Sequence, residues 1–188
     1  MLRSSTPRYF EACAALLVVV AVVFVLVQPA TAAMFHVPSK AYPSSVKRHY
    51  SWMCKSNSAV VAISVSDDTK KFMSEEDIRR YMNLKMRNFL SAYKLTEESS
   101  GRDHDYMSVY VGLFKYNDNI DVYTGLFSVK VESALSQGDT TEPYILAVGI
   151  SGSDTQVVGQ IKSHIDWAVE NFAEDYYMVQ DLIAAVEE

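Results

Sequence analysis

The chain has 188 residues, with 17 Lys and Arg against 23 Asp and Glu and a formal net charge of −6 at pH 7. That acidity, with no basic and aromatic patch to offset it, speaks against a nucleic-acid partner. A hydrophobic content of 49% excludes general disorder, and only 7 Gly and 5 Pro argue against a many-turned all-β sandwich.

Arg3 and Arg8 precede an unbroken apolar run from Ala12 to Val27, followed by Pro29 and the small residues Ala30, Thr31, Ala32 and Ala33. This is the layout of a secretory signal peptide over 1–33, with cleavage after Ala32 or Ala33. The alternative is an uncleaved signal-anchor, in which residues 12–27 tether the domain to a membrane. The run of 16 apolar residues lies between a usual h-region and a comfortable span of about 20. Cys13 lies at the start of the run rather than after it, so it is not a lipidation site. The expected location is periplasmic or secreted.

Residues 34–58 read as an extended lead-in, broken by Pro38, Pro43 and several serines. Tyr42, Tyr50, Trp52 and Met53 make part of it pack on the domain. Beyond the leader, Cys54 is the one cysteine, so no intramolecular disulfide can form there. It reads as a buried, inert thiol, with pairing to another chain as the alternative.

Residues 59–188 read as a single α+β domain. Alternation of Val61, Ile63 and Val65 with small residues predicts a strand over Ala59–Ser66. Ser74–Tyr93 reads as a helix, with Ser74 and Asp77 as a capping box. Its apolar stripe is Ile78, Met82, Met86, Phe89 and Tyr93. Thr96–Asp105 is a polar loop. Tyr106–Tyr116 and Ile120–Ala134 read as a β-hairpin with a three-residue loop, pairing Tyr116 with Ile120 and Lys115 with Asp121. Pro143–Ser151 is a strand apolar on both faces, hence central. A helix then runs from Ser153 or Asp154 to about Val186. Its length predicts a kink near Phe172–Met178 or an overhanging end.

The order is β-α-β-β-β-α, an antiparallel sheet with two helices packed on one face. This order recurs in unrelated α+β families, profilin-like and longin-like domains among them, so topology alone assigns no function.

The candidate chemistry is sparse. Gly149-Ile150-Ser151-Gly152-Ser153 stands at a strand-to-helix turn like a nucleophile elbow but lacks the final Gly. His164 and Asp166 follow inside one helix and fold back poorly onto Ser151. The same turn could bind an anion at a helix N-terminus, but Asp154 opposes it. Asp103-His104-Asp105 has no further ligand at metal spacing, and Asn117, Asp118, Asn119 and Asp121 suit a turn better than a calcium loop. No catalytic residue, cofactor or metal is expected.

Charge is uneven. Residues 40–94 hold eleven Lys and Arg against five Asp and Glu, whereas 136–188 hold only Lys162 against ten acidic residues. Two solvated faces of opposite sign account for this, and steering of a partner is the alternative. The most suggestive feature is the second face of the hairpin. Two helices cover one side of a sheet, so Tyr110, Phe114, Tyr116, Val122 and Leu126 need another cover. Either the lead-in lies over them with Tyr50 and Trp52, or they meet a protein partner or a second copy. The expected function is an exported, non-catalytic binding or assembly module. The alternatives are a small-ligand-binding or sensory domain with an aromatic pocket between sheet and helices, and, third, a hydrolase.

Overall fold

A computed structural model of the chain describes residues 33–35, 43–97, 104–117, 119–133 and 143–187. The expected leader, with its apolar run, lies outside the described residues apart from Ala33. No helix among the described residues is long and apolar enough to cross a membrane.

In chain order the elements are β1 (Ala33–Phe35), α1 (Pro43–Tyr50), a 3-10 turn (Ser51–Cys54), β2 (Ser58–Val65) and α2 (Asp67–Lys70). Then come α3 (Glu75–Phe89), β3 (Lys94–Thr96), β4 (Asp105–Asn117), β5 (Ile120–Ser133), β6 (Tyr144–Ser153) and α4 (Asp154–Glu187). The six strands form one sheet in the order β1-β6-β5-β4-β2-β3. The α+β layering is as expected, with α3 and α4 packed on one face. The sheet is mixed rather than wholly antiparallel, because β2 runs parallel to both β3 and β4. The cause is the crossover through α3, which returns the chain to the same end of the sheet.

Alternation along the strands sends one set of side chains inward. Val61, Ile63 and Val65 of β2, Met107, Val109, Val111 and Leu113 of β4, and Phe127, Val129 and Val131 of β5 are all buried. Tyr144, Leu146 and Ile150 of β6 complete this floor. Above it lie Ile78, Met82 and Met86 of α3 and Val157, Ile161, Ile165 and Phe172 of α4. Fully burying each such side chain contributes roughly 1.5–3 kcal/mol. The capping box forms as read: Ser74 Oγ accepts from the Asp77 N–H at 3.1 Å, and Asp77 Oδ2 accepts from the Ser74 N–H at 3.2 Å. The helix ends earlier than expected. Leu90, not Phe89, continues the buried stripe, and Tyr93 reaches the core from beyond the helix.

The lead-in differs most from expectation. Pro43–Tyr50 is helical, and Val46, Tyr50, Trp52 and Met53 join the shared core on the helical side, against α4. They therefore do not cover the hairpin's second face. Cys54 at the end of this stretch is exposed, not buried. α4 is continuous over 34 residues, about 51 Å. It carries no break near Phe172, and its burial fades beyond Val179 toward exposed Ala184 and Ala185.

The hairpin register also differs. Lys115 stands opposite Tyr123 and Phe114 opposite Thr124, and the register shifts between Lys115 and Asn117, which pairs with Ile120. The loop is one residue shorter than expected, and the bulge at Tyr116 adds a second one-residue shift in the same direction. A slip of one residue would have exchanged the two faces. With the bulge, the inward and outward sets stay as read. Lys115 and Asp121 still meet at 3.0 Å.

Candidate functional site

The outward face of the sheet is the most unusual surface of the described fold. On β4, Tyr106, Ser108, Tyr110, Gly112 and Phe114 point away from the helices. Beside them stand Ala62 and Ser64 of β2 on one side and Leu126 and Ser128 of β5 on the other. Ala147, Gly149 and Ser151 of β6 extend the face further. Tyr106 is 45% exposed, Tyr110 37%, Phe114 59% and Tyr116 74%. Val122, Leu126 and Ile120 are exposed as well. All five residues named from the sequence thus lie in solvent, and Tyr106 and Ile120 extend the set.

At roughly 200 Å² per aromatic side chain, the four aromatics alone expose about 430 Å². That falls within the 300–600 Å² range of the largest apolar patch on an ordinary monomer, before the aliphatic side chains are added. On β4, β5 and β6 the charged residues of this face are Lys130 and Glu132, which stand opposite Ser108 and Tyr106 and pair with each other at 2.6 Å.

Tyr110 is folded down along its own strand. A Cβ at Gly112 would meet the Tyr110 hydroxyl at 2.3 Å, so the ring occupies the space above the glycine. Gly112 is therefore what lets Tyr110 lie flat, while Phe114 stands more exposed beyond it.

The flanking strand edges are closed by side chains. β2 stops pairing with β4 at Val111, and the turn after β2 takes over. Ser66 Oγ and Thr69 Oγ1 both accept from the Leu113 N–H, at 2.9 and 3.1 Å, and Asp68 Oδ2 accepts from the Lys115 N–H at 3.2 Å. Thr69 Oγ1 also donates to the Val111 carbonyl at 2.9 Å. The Lys71 ammonium beside Asp68, with that backbone bond, holds its carboxyl below the usual carboxylate range. On the other side, among the described residues, β1 covers β6 over Ile145–Ala147. Beyond it, Gln160 grips the Ser151 backbone twice, at 3.1 and 2.8 Å, and Gln156 accepts from the Ser153 N–H at 3.2 Å. His164 completes this i, i+4, i+8 stripe with a hydrogen bond to the Gly149 backbone.

These contacts account for the residues that resembled a nucleophile elbow. Ser151 is still in β6, with its backbone held by Gln160. His164 lies against the Phe127 ring, its Nε2 without a partner, and burial lowers its pKa. Asp166 points to α3 instead, accepting from Tyr81 Oη at 3.1 Å and pairing with Lys85 at 2.9 Å. No hydrogen bond among the described residues joins Ser151, His164 and Asp166.

Asp103 and Asp118 lie outside the described residues. Asn117 accepts from the Asn119 N–H at 2.9 Å, the bond of a turn. Among the described residues no three His, Cys, Asp or Glu side chains converge as metal ligands. His104 and Asp105 are instead buried. His104 packs edge-on against Tyr106, and its Nε2 has no partner. Asp105 Oδ2 accepts from Tyr93 Oη at 2.6 Å, while Oδ1 has none. Burial, offset in part by hydrogen bonds from Tyr93 and Ser56, pushes the Asp105 pKa up to about 7. Burial and the neighbouring Asp105 carboxyl raise Tyr93 well above the usual phenol range.

Between sheet and helices, where the alternative reading puts an aromatic pocket, rings pack together: Phe172 contacts Tyr93 and Tyr144 edge-on at 5.5 and 5.3 Å. A groove of about 730 Å³ lies elsewhere, along α3 beside Val158 and Lys162 of α4; Arg80, Leu84 and Arg87 line it, with Glu76, Asp77 and Glu97.

No family model matches the sequence. No curated protein matches it. Among solved structures, the fold resembles a PelC dodecamer subunit from Paraburkholderia phytofirmans at 14% identity and a TM-score of 0.49. The match covers 75% of this chain and 97% of that one. It also resembles a minor lipoprotein from Acinetobacter baumannii at 14% identity and a TM-score of 0.29, covering 69% of this chain and 94% of that one. Both are likenesses of fold.

Proposed function

We propose that the protein is an exported, non-catalytic assembly module whose open sheet face docks against a second copy of the chain. The observation that carries this reading is the exposed aromatic face, uncovered among the described residues, on which Lys130 and Glu132 neutralise each other. The leader-like residues 1–33 support export. A second copy suits the face because it offers the same chemistry: flat apolar area, scattered hydroxyls from Ser64, Ser108, Thr124 and Ser128, and no net charge to repel its like. An isologous contact needs this self-complementarity. The aromatics supply about half of the ~800 Å² that each partner gives to a standard interface, with the aliphatic and hydroxyl residues around them to add.

The test is the solution mass of the full chain beside Phe114→Asp. Phe114 is mostly solvent-exposed, so the variant keeps its fold, checked by circular dichroism. In high salt, which screens contacts between charges, the natural chain should self-associate with rising concentration, and Phe114→Asp should remain monomeric. Equal masses for the two folded proteins would overturn the proposal.

A further inference from the structure

We infer that the outer face of α3 in one copy binds the far end of α4 in another, antiparallel, so that copies join head to tail. Two helical stripes carry this inference, and both lie away from the open sheet face. On α3, Arg80, Leu84 and Arg87 follow one another at steps of four and three residues along the groove described above. Leu84 is 54% exposed, an unusual position for a leucine on a helix whose other face is fully packed. Arg80 keeps 73% of its side chain in solvent, with Glu76 no nearer than 3.9 Å, and Arg87 is exposed.

On α4, Glu174, Tyr177 and Asp181 follow at steps of three and four. Tyr177 is 45% exposed, and both acids are exposed. Arg87, Glu174 and Asp181 have no ion-pair partner among the described residues.

Each stripe is a large apolar residue between two like charges, and the signs are opposite. The outer charges are seven residues apart on both helices, about 10.5 Å along the axis. The order decides the direction. Read from its C-terminal end, the α4 stripe has the same four-then-three spacing as the α3 stripe. Antiparallel helices therefore bring Arg80 to Asp181, Leu84 to Tyr177 and Arg87 to Glu174. Opposed helix dipoles favour the same direction. A parallel pairing would put the two central residues out of step.

One molecule cannot satisfy this match with itself, because Lys85 and Tyr81 of α3 already clasp Asp166, ahead of the acidic stripe, on the inner side of the helix pair. The two stripes are different surfaces, so the contact is heterologous and generates a ring or a filament rather than a closed pair. Its ion pairs are exposed and screened by salt, so association is strongest at low ionic strength and high protein concentration.

The experiment uses two full chains. One carries Arg80→Glu and Arg87→Glu, the other Glu174→Arg and Asp181→Arg. Each alone presents like charges across the contact. Each should fall below the natural chain's mass in low salt, and an equimolar mixture should recover it, because each reversed stripe then meets its complement. Circular dichroism confirms that both remain folded. A folded variant that alone keeps the natural mass, a mixture of folded variants that stays dissociated, or a natural chain that is monomeric at every concentration would each overturn the inference. None of the four charges lies on the sheet face, so the Phe114→Asp result and this one can fail separately.

Discussion

Replacing Asp105 by Asn should remove most of the pH dependence of stability between about pH 4 and pH 7. The carboxyl is buried at the start of β4, beneath Tyr93, whose ring meets Phe172 and Tyr176 edge-on at 5.5 and 5.6 Å. Its pKa rises from 3.8 to about 7 in the folded chain. In the unfolded chain it ionises near 4. Between those values the folded state holds a proton that the unfolded state has released, so stability falls as pH rises and levels off above about 7. A shift of about three units at 1.36 kcal/mol each gives roughly 4 kcal/mol across the window, an upper bound because relaxation admits water.

Other groups act in the opposite sense. His164, with a lowered pKa, loses stability as pH falls below about 6.5, and the depressed carboxyls of Asp68 and Asp77 lose theirs as pH falls through their range. All three are shared by both proteins, so the difference between them isolates Asp105. Urea unfolding followed by circular dichroism at pH 4.5, 6, 7.5 and 9 measures it. The Asn variant should match the natural chain most closely near pH 4.5 and exceed it increasingly up to about pH 7.5. Curves that run parallel across the whole range would refute the assignment of a buried, neutral carboxyl.

Two further outcomes test the packing. Trp52→Ala should cost about 3–5 kcal/mol in denaturant unfolding, because the ring is fully buried in the shared core; a change under about 1 kcal/mol would return the lead-in to a mere linker. Thr69→Val should cost about 1 kcal/mol, since Ser66 shares its bond to Leu113, and combining it with Ser66→Ala should cost more than the two singles together, because the Leu113 N–H then loses both acceptors.

The elements with strong periodicity were legible before any coordinates. The α3 stripe, the Ser74 and Asp77 capping box and the alternation of β4 and β5 follow from residue spacing alone. The α1 helix was also written in the sequence, since Pro43 suits a first helical position and Val46 and Tyr50 are four apart. Proline in a serine-rich stretch is also a breaker signal, and the two signals compete there. β1 and β3 are three residues each, too short to show a period. The parallel direction of β2 and β4 has no local signature, although a strand, helix and strand in succession permits it. The hairpin bulge is hidden because the shorter loop and the bulge each move the register by one residue in the same direction, and a shift of two leaves the faces unchanged. On the candidate surface, alternation named five exposed residues. It could not tell that Tyr50 and Trp52 pack on the opposite side, because that depends on where α4 ends.

The way the sheet treats its edges bears on what its face is for. A strand that outruns its neighbour exposes N–H and C=O groups that recruit another strand. β4 outruns β2 and β6 outruns β1, and in both places side chains occupy the ladder: Ser66, Asp68 and Thr69 on one, Gln156, Gln160 and His164 on the other. Joining by strand addition is thus closed at both long strands. The face between them has no such guard. Lys130 does stand on that face, opposite Ser108 and between Tyr106 and Tyr110, but Glu132 neutralises it at 2.6 Å. Sealed edges beside an undefended apolar face select for association through side chains rather than through backbone. Such contacts can be specific and reversible, and they keep the protein from the open-ended sheet growth that exposed edges invite.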